Sequence, residues 1–152
     1  MRYDPNSKAA RQELAYALLG HINTAGFLHE EIPGTHEAVY SRPVDGKRDV
    51  RILVYTSIIQ GTHGPEVRTC GTDAIRVCAV YRNKLGQDRG IAKAEARVNR
   101  TGEIEQIASR TLDRMRGVWK EARGAKVCPQ CGAPCFLSKK GNEVCADTCW
   151  VR

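Results

Sequence analysis

The sequence predicts an α+β fold: a helix, an antiparallel sheet of three to four strands, a second helix, and then a small C-terminal module. Three observations predict it. Two segments repeat apolar residues every three or four positions, as helices do, and the segment between them alternates with period two. Five of the seven cysteines lie between Cys128 and Cys149. We therefore divide the 152 residues into an α+β domain, residues 1–124, and a cysteine-rich module, residues 125–152.

The first helix is predicted over residues 5–25. Asp4-Pro5 is typical of a helix start, because an N-cap residue precedes a proline at the first helical position. Gly26 is a suitable C-terminal stop, and Phe27 and Leu28 are expected to fold back onto the same core. The apolar positions that define the helix are Leu14, Ala17, Leu18, Ile22 and Ala25.

The central segment predicts strands over residues 37–42, 49–59, 66–82 and 90–99, with an interruption of the third at Gly71. Asp45-Gly46 is expected to link the first two as a short hairpin. Residues 50–57 carry apolar side chains on both faces, which is typical of a central strand. For the last strand a helix is the competing interpretation.

The second helix is predicted over residues 102–122, with Thr101 as its cap. Its apolar stripe indicates packing against the sheet, so that the two helices cover one sheet face and leave the other open. The stripe consists of Ile104, Ile107, Ala108, Leu112, Met115, Val118, Trp119 and Ala122.

The composition is that of a folded protein, with 41% hydrophobic and 27% charged residues. No stretch approaches the roughly 18 apolar residues that span a bilayer, so no membrane association is expected. The N-terminus lacks the apolar region of a signal peptide, and we expect a cytoplasmic protein.

The net charge of +7 is concentrated in one part of the chain. Residues 1–81 contain nine Lys/Arg and nine Asp/Glu, whereas residues 82–126 contain twelve Lys/Arg and six Asp/Glu. Concentrated positive charge favours a polyanionic partner, most often nucleic acid.

The C-terminal module begins with Cys128-Pro129-Gln130-Cys131-Gly132, a pattern that forms a knuckle whose backbone amides point at the two thiolates. Thirteen residues separate Cys131 from Cys145, and Cys149 follows. The intervening residues predict a hairpin that returns the second cysteine pair to the first. Zinc prefers four such ligands in a tetrahedron, and clustered cysteines without an export signal indicate a metal site rather than disulfides.

This segment resembles the zinc ribbons at the C-termini of type IA topoisomerases, which combine a Cys-Pro-x-Cys-Gly knuckle, a short apolar strand, a basic turn and a second cysteine pair. The resemblance implies zinc ligation by Cys128, Cys131, Cys145 and Cys149, and contact with single-stranded DNA. The chain departs from the pattern at Cys135, where an apolar residue is usual, and in the close spacing of the second pair. Cys135 could therefore replace one of the four ligands. Zinc ribbons also serve as protein-docking modules or structural clips.

Basic residues that could contact phosphates cluster in and after the turn of residues 81–90. Two aromatic residues, Tyr81 and Trp150, are expected to stack on unpaired bases. The predicted cationic contacts are Arg82, Lys84, Arg89, Lys93, Arg97 and Arg100, together with Lys139 and Lys140 in the basic turn of the ribbon.

The favoured function is non-catalytic binding of nucleic acid, with single-stranded DNA preferred and the zinc ribbon as an accessory contact. One alternative is an adaptor that docks a protein partner through the ribbon. The other is a metal-dependent nuclease, for which Asp45, Asp49, Glu66 and Asp73 are the candidate carboxylates. In that alternative Arg68 stands where the usual nuclease signature has lysine.

Overall fold

The structure is a computed structural model that describes residues 1–34, 38–68, 74–98, 101–137 and 139–147. Its helices and antiparallel strands confirm the predicted α+β class. The elements in chain order are β1 (Arg2–Tyr3), α1 (Lys8–Thr24), β2 (Leu28–His29), β3 (Ala38–Pro43), β4 (Val50–Thr56), β5 (Ile58–Gly61), β6 (Gly64–Val67), β7 (Ala74–Arg82), β8 (Asp88–Arg97), β9 (Gly102–Glu103), α2 (Ile104–Gly124), β10 (Cys135–Leu137) and β11 (Glu143–Cys145). No helix in the described part of the chain is long and apolar enough to cross a membrane.

The main sheet has five antiparallel strands in the order β2-β3-β4-β7-β8. It exceeds the predicted three to four strands because the two-residue strand β2 pairs with the edge of β3. The strand interpretation of residues 90–99 holds over β8, and the turn at Asp45-Gly46 links β3 to β4 as predicted. Gly46 has φ +77°, a conformation that costs glycine little because it has no Cβ.

The two faces of the sheet differ in what covers them. Val50, Ile52 and Val54 of β4 lie on the inner face, in one buried core with residues of both helices. Helix α2 packs on this face, whereas α1 packs mainly on α2 and on the hairpin formed by β5 and β6. The outer face carries a smaller buried cluster of Val39, Leu53 and Val80.

Helix α1 begins at Lys8 rather than at the predicted Pro5, because Ser7 is the N-cap and its hydroxyl accepts from the amide of Ala10. Asp4 instead closes the preceding turn by accepting from the amide of Asn6. At the C-terminal end the amides of Gly26 and Phe27 donate to the carbonyls of Asn23 and Ile22, which is a Schellman motif. Phe27 is buried as predicted, but Leu28 is 75% exposed.

Strand β4 ends at Thr56, three residues before the predicted end, because the Thr56 hydroxyl accepts from the amide of Ile58 and interrupts the strand. The chain then forms the β5–β6 hairpin, which packs on α1. The predicted third strand, residues 66–82, is therefore two elements, β6 and β7, in two different sheets.

Helix α2 begins at Ile104, and Thr101 is not its cap. Gly102 and Glu103 pair with Tyr3 and Arg2 as strands β9 and β1, so the backbone of these residues is extended where the sequence predicts helix. The helix then continues to Gly124, two residues past its predicted end.

Candidate metal centre and nucleic-acid interface

The first cysteine pair lies in a tight loop that closes on itself. The amide of Cys128 donates to the carbonyl of Ala133 at 2.7 Å, and the amide of Gly132 donates to the carbonyl of Cys128 at 2.8 Å. Gly132 has φ +76°, which explains why glycine follows the second cysteine of the knuckle. The loop holds the side chains of Cys128 and Cys131 on the same side.

The hairpin of β10 and β11 returns the chain to this loop. Cys135 lies opposite Cys145 in the hairpin register, and the amide of Ala146 donates to the carbonyl of Pro134 at 3.0 Å. These bonds bring Cys145 beside the first pair, as the sequence predicts.

The Sγ atoms of Cys128, Cys131 and Cys145 all lie within 4.8 Å of one another, and those of Cys131 and Cys145 are 3.5 Å apart. A disulfide would require about 2.05 Å. Ligands at about 2.3 Å from a tetrahedral ion are about 3.8 Å apart, a spacing comparable to the separations of these three sulfurs. Cys128 and Cys145 are buried and Cys131 is exposed. Three close cysteines could therefore hold a metal ion.

Backbone amides stabilise the thiolate form of these cysteines. Hydrogen bonds from the amides of Cys131 and Gln130 lower the pKa of Cys128 to about 7. The amide of Asp147 donates to Cys145 Sγ at 3.3 Å. Since the thiolate is the form that binds metal, these three bonds favour ligation.

The sulfur of Cys135 does not belong to the group of three. Burial, and then the neighbouring thiolates of Cys145 and Cys128, raise the pKa of Cys135 above its usual value. Cys149 lies outside the described residues, so the fourth corner of the site is not assigned by the structure.

Asp147 joins the cysteine module to the β7–β8 hairpin. Its Oδ2 accepts from the Tyr81 hydroxyl at 2.6 Å, and its Oδ1 accepts from the amide of Lys84 at 3.0 Å. Burial and the bond to Asp147 raise the pKa of Tyr81 above its usual value. Sequence reasoning missed Asp147, because its partners lie more than sixty residues away and no local pattern indicates them.

Tyr81, predicted to stack on bases, is only 8% exposed. Its ring packs in the core beneath the cysteine module, and its hydroxyl is used by Asp147. The structure therefore gives Tyr81 a connecting position rather than an exposed stacking surface. Trp150 lies outside the described residues.

The predicted basic hairpin is held in shape by Asn83, a buried residue whose side-chain oxygen accepts from the amides of Leu85 and Gln87. Arg82 and Lys84 are exposed on it, and Arg82 Nε lies 3.4 Å from Asp88 Oδ1. The basic turn of residues 139–142 in the cysteine module also exposes both of its lysines, Lys139 and Lys140.

The remaining predicted cations do not form one row. A register shift at Ala79/Val80 places Arg89 opposite Tyr81, on the inner side of the sheet. Lys93 and Arg97 lie on the outer face, because they alternate with the inward-facing Ala92, Ala94 and Ala96. Arg100 lies outside the described residues.

The described carboxylates among those proposed for a nuclease, Asp45, Asp49 and Glu66, do not form a close group. Asp45 pairs with Arg42 at 3.5 Å, Asp49 pairs with Arg48 at 3.4 Å, and Glu66 lies in the β5–β6 hairpin. Asp73 lies outside the described residues. Within the ranges that the structure describes, the three cysteines form the only close group of three or more potential metal ligands.

No protein-family model, curated protein or solved structure matches this chain.

Proposed function

We propose that this protein binds nucleic acid without catalysis, prefers single-stranded DNA, and uses a C-terminal zinc ribbon as an accessory contact. The observation that carries the proposal is the position of Asp147. This residue follows a candidate metal ligand by two positions and bonds to both ends of the segment from Tyr81 to Lys84. Metal site and basic hairpin are thus adjacent parts of one surface.

Zinc is the metal that the ligand chemistry favours. Thiolates are soft ligands, and a tetrahedral set of cysteines is typical of structural zinc. Cys149 is the proposed fourth ligand, on the resemblance to topoisomerase ribbons. A module of this length buries too little apolar surface to fold alone, so the ion would supply its folding energy.

Phosphate contact is the role we propose for the exposed lysines and arginines. Arg82 and Lys84 are exposed on the β7–β8 hairpin, which Asp147 bonds to the cysteine module, and Lys139 and Lys140 are exposed on the ribbon turn of that module. Such cations release counterions when they neutralise phosphates, which gives affinity with little sequence preference. The preference for single strands rests on the resemblance of the ribbon.

The test combines metal analysis of the purified chain with fluorescence anisotropy on labelled single-stranded and double-stranded oligonucleotides. We expect one zinc per chain and tighter binding of the single strand. These four phosphate contacts alone should lower affinity about 50-fold between about 50 and about 200 mM salt.

Two double variants locate the contact. Lys84→Gln with Lys140→Gln removes one cation from each proposed element and should reduce the salt slope by about 1.4. Arg114→Gln with Lys120→Gln removes two exposed cations of α2 and should leave the salt slope unchanged. Zinc without nucleic-acid binding would contradict the proposal and favour the protein-docking adaptor. An equal reduction of the salt slope in both double variants would contradict the proposed location of the phosphate contacts.

A further inference from the structure

The outer face of the main sheet is only partly covered. Leu53 lies there, with Val39 and Val80 from the neighbouring strands, and Ile32 from the preceding loop packs against them. Among the described residues of this cluster none comes from α1 or α2. The part of the face nearer to β8 carries polar and charged side chains instead.

Tyr55 and Arg76 form a cation–π pair on this face. They are directly opposite each other in the register of β4 and β7, and the Arg76 guanidinium carbon lies 4.8 Å from the centre of the Tyr55 ring. The ring is half-buried and Arg76 is exposed. A guanidinium plane on an aromatic ring offers a surface on which a further planar group can stack.

Positive charge lies beside this pair on β8. Lys93 and Arg97 are exposed on the same face of β8, and Glu95 between them lies opposite Arg76. These four side chains thus comprise three cations and one carboxylate.

Other charges on the face largely balance. Arg51 is held by Glu30 and Asp88, at 3.0 Å from each. Arg82 follows on the same face at the end of β7 and lies 3.4 Å from Asp88. The last residue of β7 is eight residues beyond the first, a distance of about 27 Å along the strand. Strand β7 therefore extends from the level of Arg97 to the cations of the β7–β8 hairpin.

We infer that this face is a platform for an unpaired nucleic-acid strand, in which a base stacks on the Tyr55–Arg76 pair and Lys93 and Arg97 bind flanking phosphates. The inference rests on the proposed function and assigns it a surface. It also supplies a reason for strand preference that is independent of the ribbon. Only an unpaired strand can turn a base face toward a flat protein surface, whereas the bases of a duplex are stacked on one another.

The experiment uses the full-length protein after its zinc content has been measured. Binding of an oligothymidylate and of a duplex is compared for the wild type and Tyr55→Leu. Loss of one base stack should weaken single-strand binding about 5- to 150-fold, leave the salt slope unchanged and affect the duplex much less. Tyr16→Leu is the matched control, because Tyr16 is exposed on α1.

Two further variants keep the inference testable if Tyr55→Leu does not fold. Arg76→Lys retains the charge but loses the planar group, and should also weaken single-strand binding selectively. Lys93→Gln with Arg97→Gln should instead lower the salt slope by about 1.4.

The outcomes separate this inference from the proposed function. Single-strand binding that is unchanged in all three sheet-face variants but reduced in Lys84→Gln with Lys140→Gln would overturn the platform and leave the function standing. Absence of binding by the wild type would overturn both. Equal weakening of single-strand and duplex binding in Tyr55→Leu would exclude the stacking role. Tighter binding of a polyglutamate peptide than of the oligonucleotide would make an acidic protein segment the partner and overturn the inference.

Discussion

Asp147 bonds through both its backbone and its side chain: its amide donates to the sulfur of Cys145, and its carboxylate accepts from the hydroxyl of Tyr81 and the amide of Lys84. Asp147→Ala removes the two side-chain bonds and leaves a buried hydroxyl without its acceptor. We expect it to lower the free energy of unfolding by about 1 to 3 kcal/mol, as measured by urea denaturation. The content of the proposed zinc ion should be unchanged, because the backbone amide that supports Cys145 remains.

Two tyrosine variants serve as comparisons for Asp147→Ala. Tyr81→Phe removes the donor and the buried polar group together, and it should lower the free energy of unfolding by less, about 1 kcal/mol. Tyr16→Phe alters an exposed tyrosine and should cost little. If Asp147→Ala were no more destabilising than Tyr16→Phe, the connection between the module and the hairpin would not be stabilising.

Single residues also show which structural features could be predicted from the sequence and which could not. Gly26 and Gly132 were identifiable because a positive φ is a local requirement that glycine meets. The position of Tyr81 was not, because its burial depends on a module that begins more than forty residues later in the chain.

At the scale of elements, Arg51 of β4 connects the loop after β2 to β8. Its guanidinium makes paired hydrogen bonds to both Asp88 oxygens at 3.0 Å and also bonds to Glu30. Hydrogen bonds from Arg51 hold the pKa of Asp88 below its usual value. Asp88→Asn should lower the free energy of unfolding at pH 7 by about 1 to 2 kcal/mol, a range reduced because the side chain is partly exposed.

The stabilisation that Asp88 contributes depends on pH in a direction set by its lowered pKa. Because the pKa of Asp88 is lower in the folded state, its stabilisation is present above the unfolded value of about 4 and is lost as pH falls through the folded value. Urea denaturation from pH 7 to pH 3 should therefore show wild type and Asp88→Asn converging. Asp45→Asn is the control, because Asp45 is largely exposed and its pairing with Arg42 should contribute little. A difference that is constant with pH would exclude the ion pair as its cause.

Elements were predictable where one local pattern dominated. The stripe from Ile104 to Ala122 defined α2, and the Cys-Pro-Gln-Cys-Gly pattern defined the knuckle. The start of α2 was not predictable, because β9 pairs with β1 about one hundred residues earlier. The end of β4 was missed because Thr56 is a good strand residue, and only its hydroxyl bond to Ile58 ends the strand.

At the scale of the whole molecule, the cysteine module and the sheet share one apolar core. Cys128, Ala133, Cys145 and Ala146 belong to the same buried cluster as the inner face of the sheet. Most residues of this cluster belong to the sheet and the two helices, and Ile52, Val54 and Val77 are fully buried. Loss of the proposed metal should therefore unfold the module first and leave the sheet folded.

Hydrogen exchange with and without a zinc chelator measures this order. Chelation should raise exchange at the amides of Cys135 and Ala146, which donate to Lys126 and Pro134 within the module. Amides that join β4 to β7 should remain protected, because the metal contributes nothing to their ladder.

Two cysteine variants test the same order without a chelator. Cys131→Ser should reproduce the effect of chelation, because its sulfur belongs to the group of three, whereas Cys135→Ser should not. Loss of protection in β4 and β7 as well would mean that module and sheet unfold as one unit. Unchanged exchange at the amides of Cys135 and Ala146 would mean that the fold of the module does not depend on a metal. A Cys135→Ser variant that behaves like Cys131→Ser would make Cys135 the fourth ligand.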